Sequence, residues 1–462
     1  MRTYLAILWI ALAWRGNVAF AQESMSMPGV ENSVGYLASG TSILPKSTSE
    51  SSPMIHRTLG NWTLMLHANA MLVDVQQSGP RGEDKFFSSN WVMPMLKRES
   101  GRHSLTLRTM LSLEPATITR RRYPLLFQTG ETAFGLSIIN GQHPHDLIME
   151  LAGRYDFAVG ERSQIFLYGG PVAEAALGPT PLPHRASASE NPLAVLGHHQ
   201  QDSTHIAANV ITVGMSARFV QLEASTFHGR EPNENRWNID AGKPDSFATR
   251  LTIALNNNLS AQVSTARLNQ PEITDPQVDT VRTTASLHHN LQFSSGHVAS
   301  SLIWGRNKDL KNQQRRIFNS YNFESTVRFK TRNWVWTRIE NVDRDRSLLP
   351  VPDPACRLCG VVGFGASLEE FKHIVLGPGG VPVTIEEDPI GRVQAYSLGY
   401  ERDLPLGLTW LDVGLGVQAT TYGLTPQLKA VYGNRPATVA MFLRFRPAGN
   451  MRDHMKQMHR IR

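Results

Sequence analysis

Segments in which apolar and polar residues strictly alternate recur along this chain from about residue 61 to 446, joined in turn by tight turns and by long loops. Across Ser104–Glu114, Leu105, Leu107, Leu111 and Leu113 fall on one face, and Ser104, Thr106, Arg108, Ser112 and Glu114 on the other. A period of two sends successive side chains to opposite faces of a strand. Phe247, Leu251, Ile253 and Leu255 likewise oppose Arg250 and Thr252, and Tyr321, Phe323, Val327 and Phe329 oppose Asn322, Glu324, Arg328 and Lys330. Val439, Met441, Leu443 and Phe445 oppose Thr438 and Arg444. A helix would repeat its charges every three or four residues, and these segments do not.

The connections carry a second rhythm. Glu99–Arg102, Val159–Arg162, Asn256–Asn258, Ser294–Gly296, Thr331–Asn333 and Pro405–Gly407 are short, while 116–143, 174–204, 230–244, 345–390 and 423–435 are long. Bacterial outer-membrane barrels have short periplasmic turns and longer extracellular loops. The expected fold is therefore all-β: a transmembrane antiparallel β-barrel of about 16 strands with its long extracellular loops on one rim. Lipid of the outer membrane would meet the apolar faces. Arg108, Glu114, Glu150, Arg154, Arg250, Arg328 and Arg444 are expected to line the lumen, where a positive excess predicts a mild anion preference. Trp62, Trp91, Trp334, Trp336 and Tyr400 lie near strand ends, as interfacial girdles do. A soluble propeller would show a repeat of about 40–50 residues, and none is present.

The N-terminus fits export. Arg2 precedes the apolar run Tyr4–Trp14, and Ala19-Phe20-Ala21 reads as a cleavage site. The expected organisation is a signal peptide over 1–21, a flexible periplasmic arm over 22–60, the barrel over 61–446, and a tail rich in Met, His and Arg over 447–462. Beyond the signal no apolar run reaches the roughly 18 residues of a membrane helix. The formal charge of +7 includes Arg2, Arg15 and four basic residues of the tail, so the barrel is only mildly basic. No basic and aromatic stripe points to nucleic acid.

The long connections hold the unusual chemistry. One supplies His143, His145 and Asp146, the next His198, His199, Asp202 and His205, and a third His228, Arg230, Glu231, Glu234 and Arg236. Histidines and aspartates of the first two could form an N/O site for zinc or divalent copper, or could fix loop shape by hydrogen bonding. Met25, Met27 and the tail stretch His454–His459 offer thioethers and imidazoles, a ligand set suited to copper. Cys356 and Cys359 are spaced for a local disulfide. Ser203 beside Asp202 and His205 could be drawn as a hydrolase, but there is no GxSxG elbow, and no enzyme is expected.

Several stretches resemble a family of functionally uncharacterised outer-membrane β-barrel proteins of Gram-negative bacteria. They are ASGTSILP at 38–45, GPRGEDK at 79–85, YPLLFQTGE at 123–131, INGQHPHDLIMELA at 139–152, HHQQDSTHIAANVITVG at 198–214 and FHGREPNENRWNID at 227–240. The resemblance implies the barrel, the signal and the outer membrane, and no catalytic residue. Members often carry an N-terminal arm rich in His and Met, here reduced to SMSMPG with Met54 and His56. The expected function is a porin-like barrel, monomeric or a homo-oligomer, that passes or gates small polar solutes or ions. The alternative is an outer-membrane protein that binds copper or zinc.

Overall fold

The computed structural model describes residues 34–50, 54–273, 276–311, 314–344, 346–349, 391–408 and 410–448, together with a strand pair at 375–376 and 382–383. The signal segment, Met25, Met27, Cys356, Cys359 and the tail from residue 449 lie outside the described residues.

Sixteen strands form the wall. They are β1 (Trp62–Gln77), β2 (Lys85–Ser100), β3 (His103–Leu111), β4 (Ile148–Gly160), β5 (Ser163–Ala173), β6 (Ala207–Ala217), β7 (Val220–His228) and β8 (Ser246–Asn256). The circuit continues through β9 (Leu259–Leu268), β10 (Asp279–Phe293), β11 (Gly296–Lys311), β12 (Gln314–Phe329), β13 (Asn333–Arg344), β14 (Gly391–Asp403), β15 (Leu411–Gly423) and β16 (Ala437–Pro447). Each strand pairs antiparallel with its chain neighbours, and β16 closes on β1 from Thr438↔Gln77 to Phe445↔Ala70. A short segment, Ile55–Leu59, folds back on the start of β1. Closure leaves no unpaired edge, which a lipid environment demands.

Alternation selects the two surfaces as the sequence implies. Leu167, Val213, Leu222, Leu251, Leu302 and Leu398 stand exposed on the outside, while their strand neighbours Tyr168, Thr212, Glu223, Arg250, Ile303 and Ser397 are buried inside. Such an apolar exterior around a closed wall is the surface of an outer-membrane barrel.

The lumen is filled. The connections 112–147 and 174–206 turn inward, carrying the short helices α1 (Glu114–Thr117) and α2 (His198–Gln201), and α3 (Pro426–Tyr432) sits beside them. One apolar core joins Ile118, Leu126, Phe127, Leu193 and Leu196 of these loops to Val73, Phe87, Trp336 and Phe442 of the wall. A second joins Ala175 and Leu177 to Phe166, Val210, Phe227 and Leu268. Each fully buried Leu or Phe here contributes about 1.5–3 kcal/mol, so the loops are a packed plug.

Two expectations change. Part of the segment assigned to a flexible periplasmic arm is packed inside the barrel. Arg108 donates to the Gly40 carbonyl, Gln221 to the Thr41 carbonyl at 2.8 Å, and Ser47 Oγ to the Asn290 carbonyl at 2.7 Å. Small polar residues with turn-forming glycine let this stretch trace the polar wall, which composition alone does not distinguish from a solvated arm. Trp91, Trp334 and Trp336 are not girdle residues: their strand positions have inward parity, and all three are buried in the lumen.

Candidate functional site

The wall charges meet the plug. Arg108 on β3 lies 3.3 Å from Glu150 on β4, and Glu150 also accepts the Tyr168 hydroxyl at 2.7 Å. Arg154 pairs with Asp156 at 2.8 Å and lies over the Phe166 ring. Arg250 binds Glu223 at 3.0 Å and reaches Glu174, the first residue of the 174–206 loop, at 3.7 Å. Arg444 contacts Glu190 of the same loop together with Glu401 and Asp403 of β14. Arg328 donates to the Thr331 carbonyl at 2.8 Å and lies over Trp334. Four of the five arginines expected to line an aqueous pore are thus paired with carboxylates, so no anion preference follows from them.

Glu114 is placed differently from the sequence reading. The strand ends at Leu111, and Glu114 begins α1 within the plug. There its carboxylate accepts the His145 N–H at 2.8 Å and faces the His145 ring Nδ1 at 3.0 Å. Alternation extrapolated past the last ladder bond put it on the wall. Burial works against its ionisation, yet the His145 ring holds its pKa below the usual carboxylate range.

The 174–206 loop crosses the lumen. At its centre Arg185, fully buried, binds Glu324 of β12 at 2.6 Å and Asp202 at 2.9 Å. Asp202 in turn accepts from His198 at 2.7 Å, and its carbonyl faces His205 Nδ1 at 2.8 Å. Further along, Glu190 reaches Arg444 and Arg446 near the periplasmic ends of β14 and β16, the Arg446 contact at 2.9 Å. Arg338 of β13 donates to the Leu193 and Ala194 carbonyls at 3.0 and 2.9 Å, and Glu340 accepts the Leu196 N–H at 2.6 Å.

The histidines do gather inside the barrel. The His145 and His205 rings lie 5.7 Å apart, His205 and His198 5.2 Å, and His198 and His199 5.5 Å. They do not form the ligand set expected from His143, His145, Asp146, His198, His199, Asp202 and His205. His143 is engaged by Glu131 and the Pro144 carbonyl, His145 by Glu114, and Asp146 by Arg236 at 3.4 Å. Among the described residues, the group whose ligand atoms converge within 4.8 Å is Glu131, His199 and Glu231, and of the seven His199 alone belongs to it.

This cluster sits where three connections meet. His199 Nδ1 lies 3.1 Å from Glu231 and 3.5 Å from Glu272, while Arg236 binds Glu131 at 3.0 Å. Burial pushes the Glu231 carboxyl up to about 7, reinforced by Glu272, and pushes Asp146 up to about 6 against Arg236. Burial lowers the affinity of His199 for its proton, but Glu231 and Glu272 more than restore it. Against burial, His143 and Arg236 keep Glu131 well below the usual carboxylate range. The donor set of carboxylates with imidazole suits a divalent cation, and the arginine and the protonated histidine also balance its charge without one. Glu131, Glu231 and Glu272 were not singled out as partners because their relation to His199 is tertiary, with no spacing signature.

Ser203 does not assemble with a base. Its Oγ lies 2.6 Å from Arg282, which donates to it, and His205 is turned to the Asp202 carbonyl.

The closed wall, apolar belt and inward-folded loops define a plugged 16-stranded barrel of the outer membrane. The chain is similar in fold to Salmonella typhi OmpF in complex with daunomycin, at 8% identity over 85% of this chain and 100% of that one, TM-score 0.48. It is also similar to a loop-L8 deletion mutant of OmpT, an outer membrane protein of Vibrio cholerae, at 7% identity over 84% and 99% of the two chains, TM-score 0.46. An anion-selective porin from Comamonas acidovorans shows 11% identity over 83% and 99%, TM-score 0.46. No family model matches the chain, and no curated protein matches it.

Proposed function

We propose that the protein gates the passage of small polar solutes or ions across the outer membrane, with the tip of the 174–206 loop as its gate. The observation that carries this reading is how the loop is held. Its flanks, Ala175–Leu177 and Leu193–Leu196, sit in apolar cores. Its tip is fastened by Arg185 to Glu324 and by Glu190 to Arg444 and Arg446. Apolar flanks resist displacement, whereas buried charge pairs have a small net worth once desolvation is counted and can be exchanged for water or solute charge. The tip is therefore the part of the plug able to move while both ends stay anchored.

Planar-bilayer recording of the purified protein tests this. Wild type is expected to show infrequent openings, and Glu190→Ala to lengthen them. A barrel that stays silent in both forms sinks the gating reading.

A further inference from the structure

The apolar packing in the lumen is not uniform in composition. The two large cores are built from Leu, Val, Ala and aromatic residues, and they hold a single methionine, Met71, between them. A third cluster consists of Trp91, Met93, Met95, Met110 and Met149, with Met54, Met65 and Ile206 packed against it. Six of the chain's fifteen methionines thus converge in one place. Packing alone would be served by leucine, as it is elsewhere in this lumen. Thioethers add soft, polarisable donor atoms.

Histidines border the same place. Met110, Met149, His184 and His205 line one small cavity of about 10 Å³, together with Glu150 and Glu174. That is room for a single water-sized particle. Among the described residues, neither ring nitrogen of His184 has a hydrogen-bond partner, and nor does Nε2 of His205. His184 is more than nine-tenths buried, and its ring lies 5.0 Å from Trp91 and 5.8 Å from His67. A buried imidazole without any partner is costly unless its lone pair is used. Glu150 supplies negative charge, partly offset by Arg108.

We propose that this cavity is a binding site for a soft monovalent metal ion, Cu(I) or Ag(I), ligated by the thioethers of Met110 and Met149 and by the imidazoles of His184 and His205. Thioether with imidazole selects Cu(I) over the hard divalent cations that prefer carboxylate and water. The site is distinct from the Glu131–His199–Glu231 cluster, whose donors are nitrogen and oxygen. It does not depend on the loop tip acting as a gate.

Calorimetric titration of the full chain in chloride-free detergent solution with silver nitrate, and with Cu(I) against a chromogenic chelator, reads the site directly. One ion per chain is expected, with zinc unable to displace it. Met110→Leu with Met149→Leu preserves volume, and is expected to weaken binding at least tenfold with heat-modifiable gel migration unchanged. X-ray absorption of the Cu(I)-loaded wild type is expected to show sulfur and imidazole scatterers, a readout that needs no variant. The proposal is overturned if wild type takes up neither ion, or if only nitrogen and oxygen surround the copper. It is equally overturned if binding survives the double leucine change and disappears instead on removing residues 450–462 or on Cys356→Ser with Cys359→Ser.

Discussion

Arg185 in the plug and Glu324 on the wall meet 2.6 Å apart with neither side chain accessible to solvent. The pair joins a loop to a strand 139 residues away in the chain. Ser187 Oγ donates to the same carboxylate at 2.8 Å, and the Asn322 side chain donates at 3.1 Å. Desolvating the two charges nearly cancels their attraction, so their joint presence contributes little net stability. Their individual loss is another matter.

Glu324→Ala leaves a buried guanidinium with only Asp202 and the Thr180 carbonyl. A cost of about 3–5 kcal/mol is expected. Arg185→Met combined with Glu324→Met removes both charges and is expected to regain most of it, since Asp202 keeps His198. Urea titration in detergent, followed by tryptophan fluorescence, measures both. Equal stability of the single and double variants would count against a mutually compensating pair.

The docking of α2 depends on a missing side chain. A Cβ built on Gly305 of β11 would lie 2.1 Å from the Gln200 carbonyl oxygen and 2.9 Å from Gln201 Cγ. Both neighbours belong to α2, and the nearest is backbone that cannot turn aside. Gly305→Leu is expected to push α2 off the wall while leaving the β10–β11–β12 ladder intact. Limited proteolysis should then cut within 174–206, with the heat-modifiable barrel band retained. Gly160→Ala, where nothing lies within 4 Å, is the control and should behave as wild type. Resistance of the Gly305 variant to protease would show that the plug tolerates the intrusion.

The wall was legible in the sequence and the plug was not, for one physical reason. Arg250 and Leu251 declare opposite faces by position alone, because a strand's period of two is local. Phe127, Arg185 and Glu190 have no such period, and their partners Tyr432, Glu324 and Arg444 lie far away in the chain. The histidine loops were recognisable as chemically dense, and they do meet. Which carboxylates they meet is set by loop folding. Met93 and Met95 share a face at a separation of two, and that was a readable sign of the thioether cluster. Trp334 and Trp336 show the limit of reading by location: nearness to a strand end suggested a girdle, while their parity places them inside.

Glu174 predicts a pH dependence. Burial pushes its carboxyl from 4.5 up to about 7; Arg250 and the Ser39 hydroxyl pull down, Glu150 pushes up and Arg108 pulls down. A carboxyl whose folded pKa is raised stabilises the fold fully below about 4.5 and loses that contribution as pH rises through about 7. Glu174→Gln mimics the protonated form at every pH. The variant is expected to match wild type near pH 5 and to exceed it above pH 7.5, by on the order of 2–3 kcal/mol. Melting temperatures of the two proteins across that range measure the difference. A gap that does not grow with pH would place the titration elsewhere.

Phe127 combines full burial with a backbone φ of +69°, a left-handed conformation that side chains disfavour. Its ring contacts Tyr432 of α3 and Tyr422 of β15 at centroid distances of 4.5 and 4.9 Å, and its N–H donates to Asn140 Oδ1 at 2.9 Å. Truncating a buried Phe to Ala costs about 3–5 kcal/mol, and the left-handed strain of about 1–2 kcal/mol remains because alanine keeps its Cβ. Phe127→Gly loses the same ring but is relieved of that strain. The ordinary order of the two substitutions is therefore expected to reverse, with the glycine variant more stable than the alanine variant by about 1 kcal/mol after the extra entropy of the unfolded glycine chain. Parallel unfolding titrations of the two variants resolve a difference of that size. An alanine variant at least as stable as the glycine variant would mean that the loop backbone relaxes out of the left-handed region once the ring is gone.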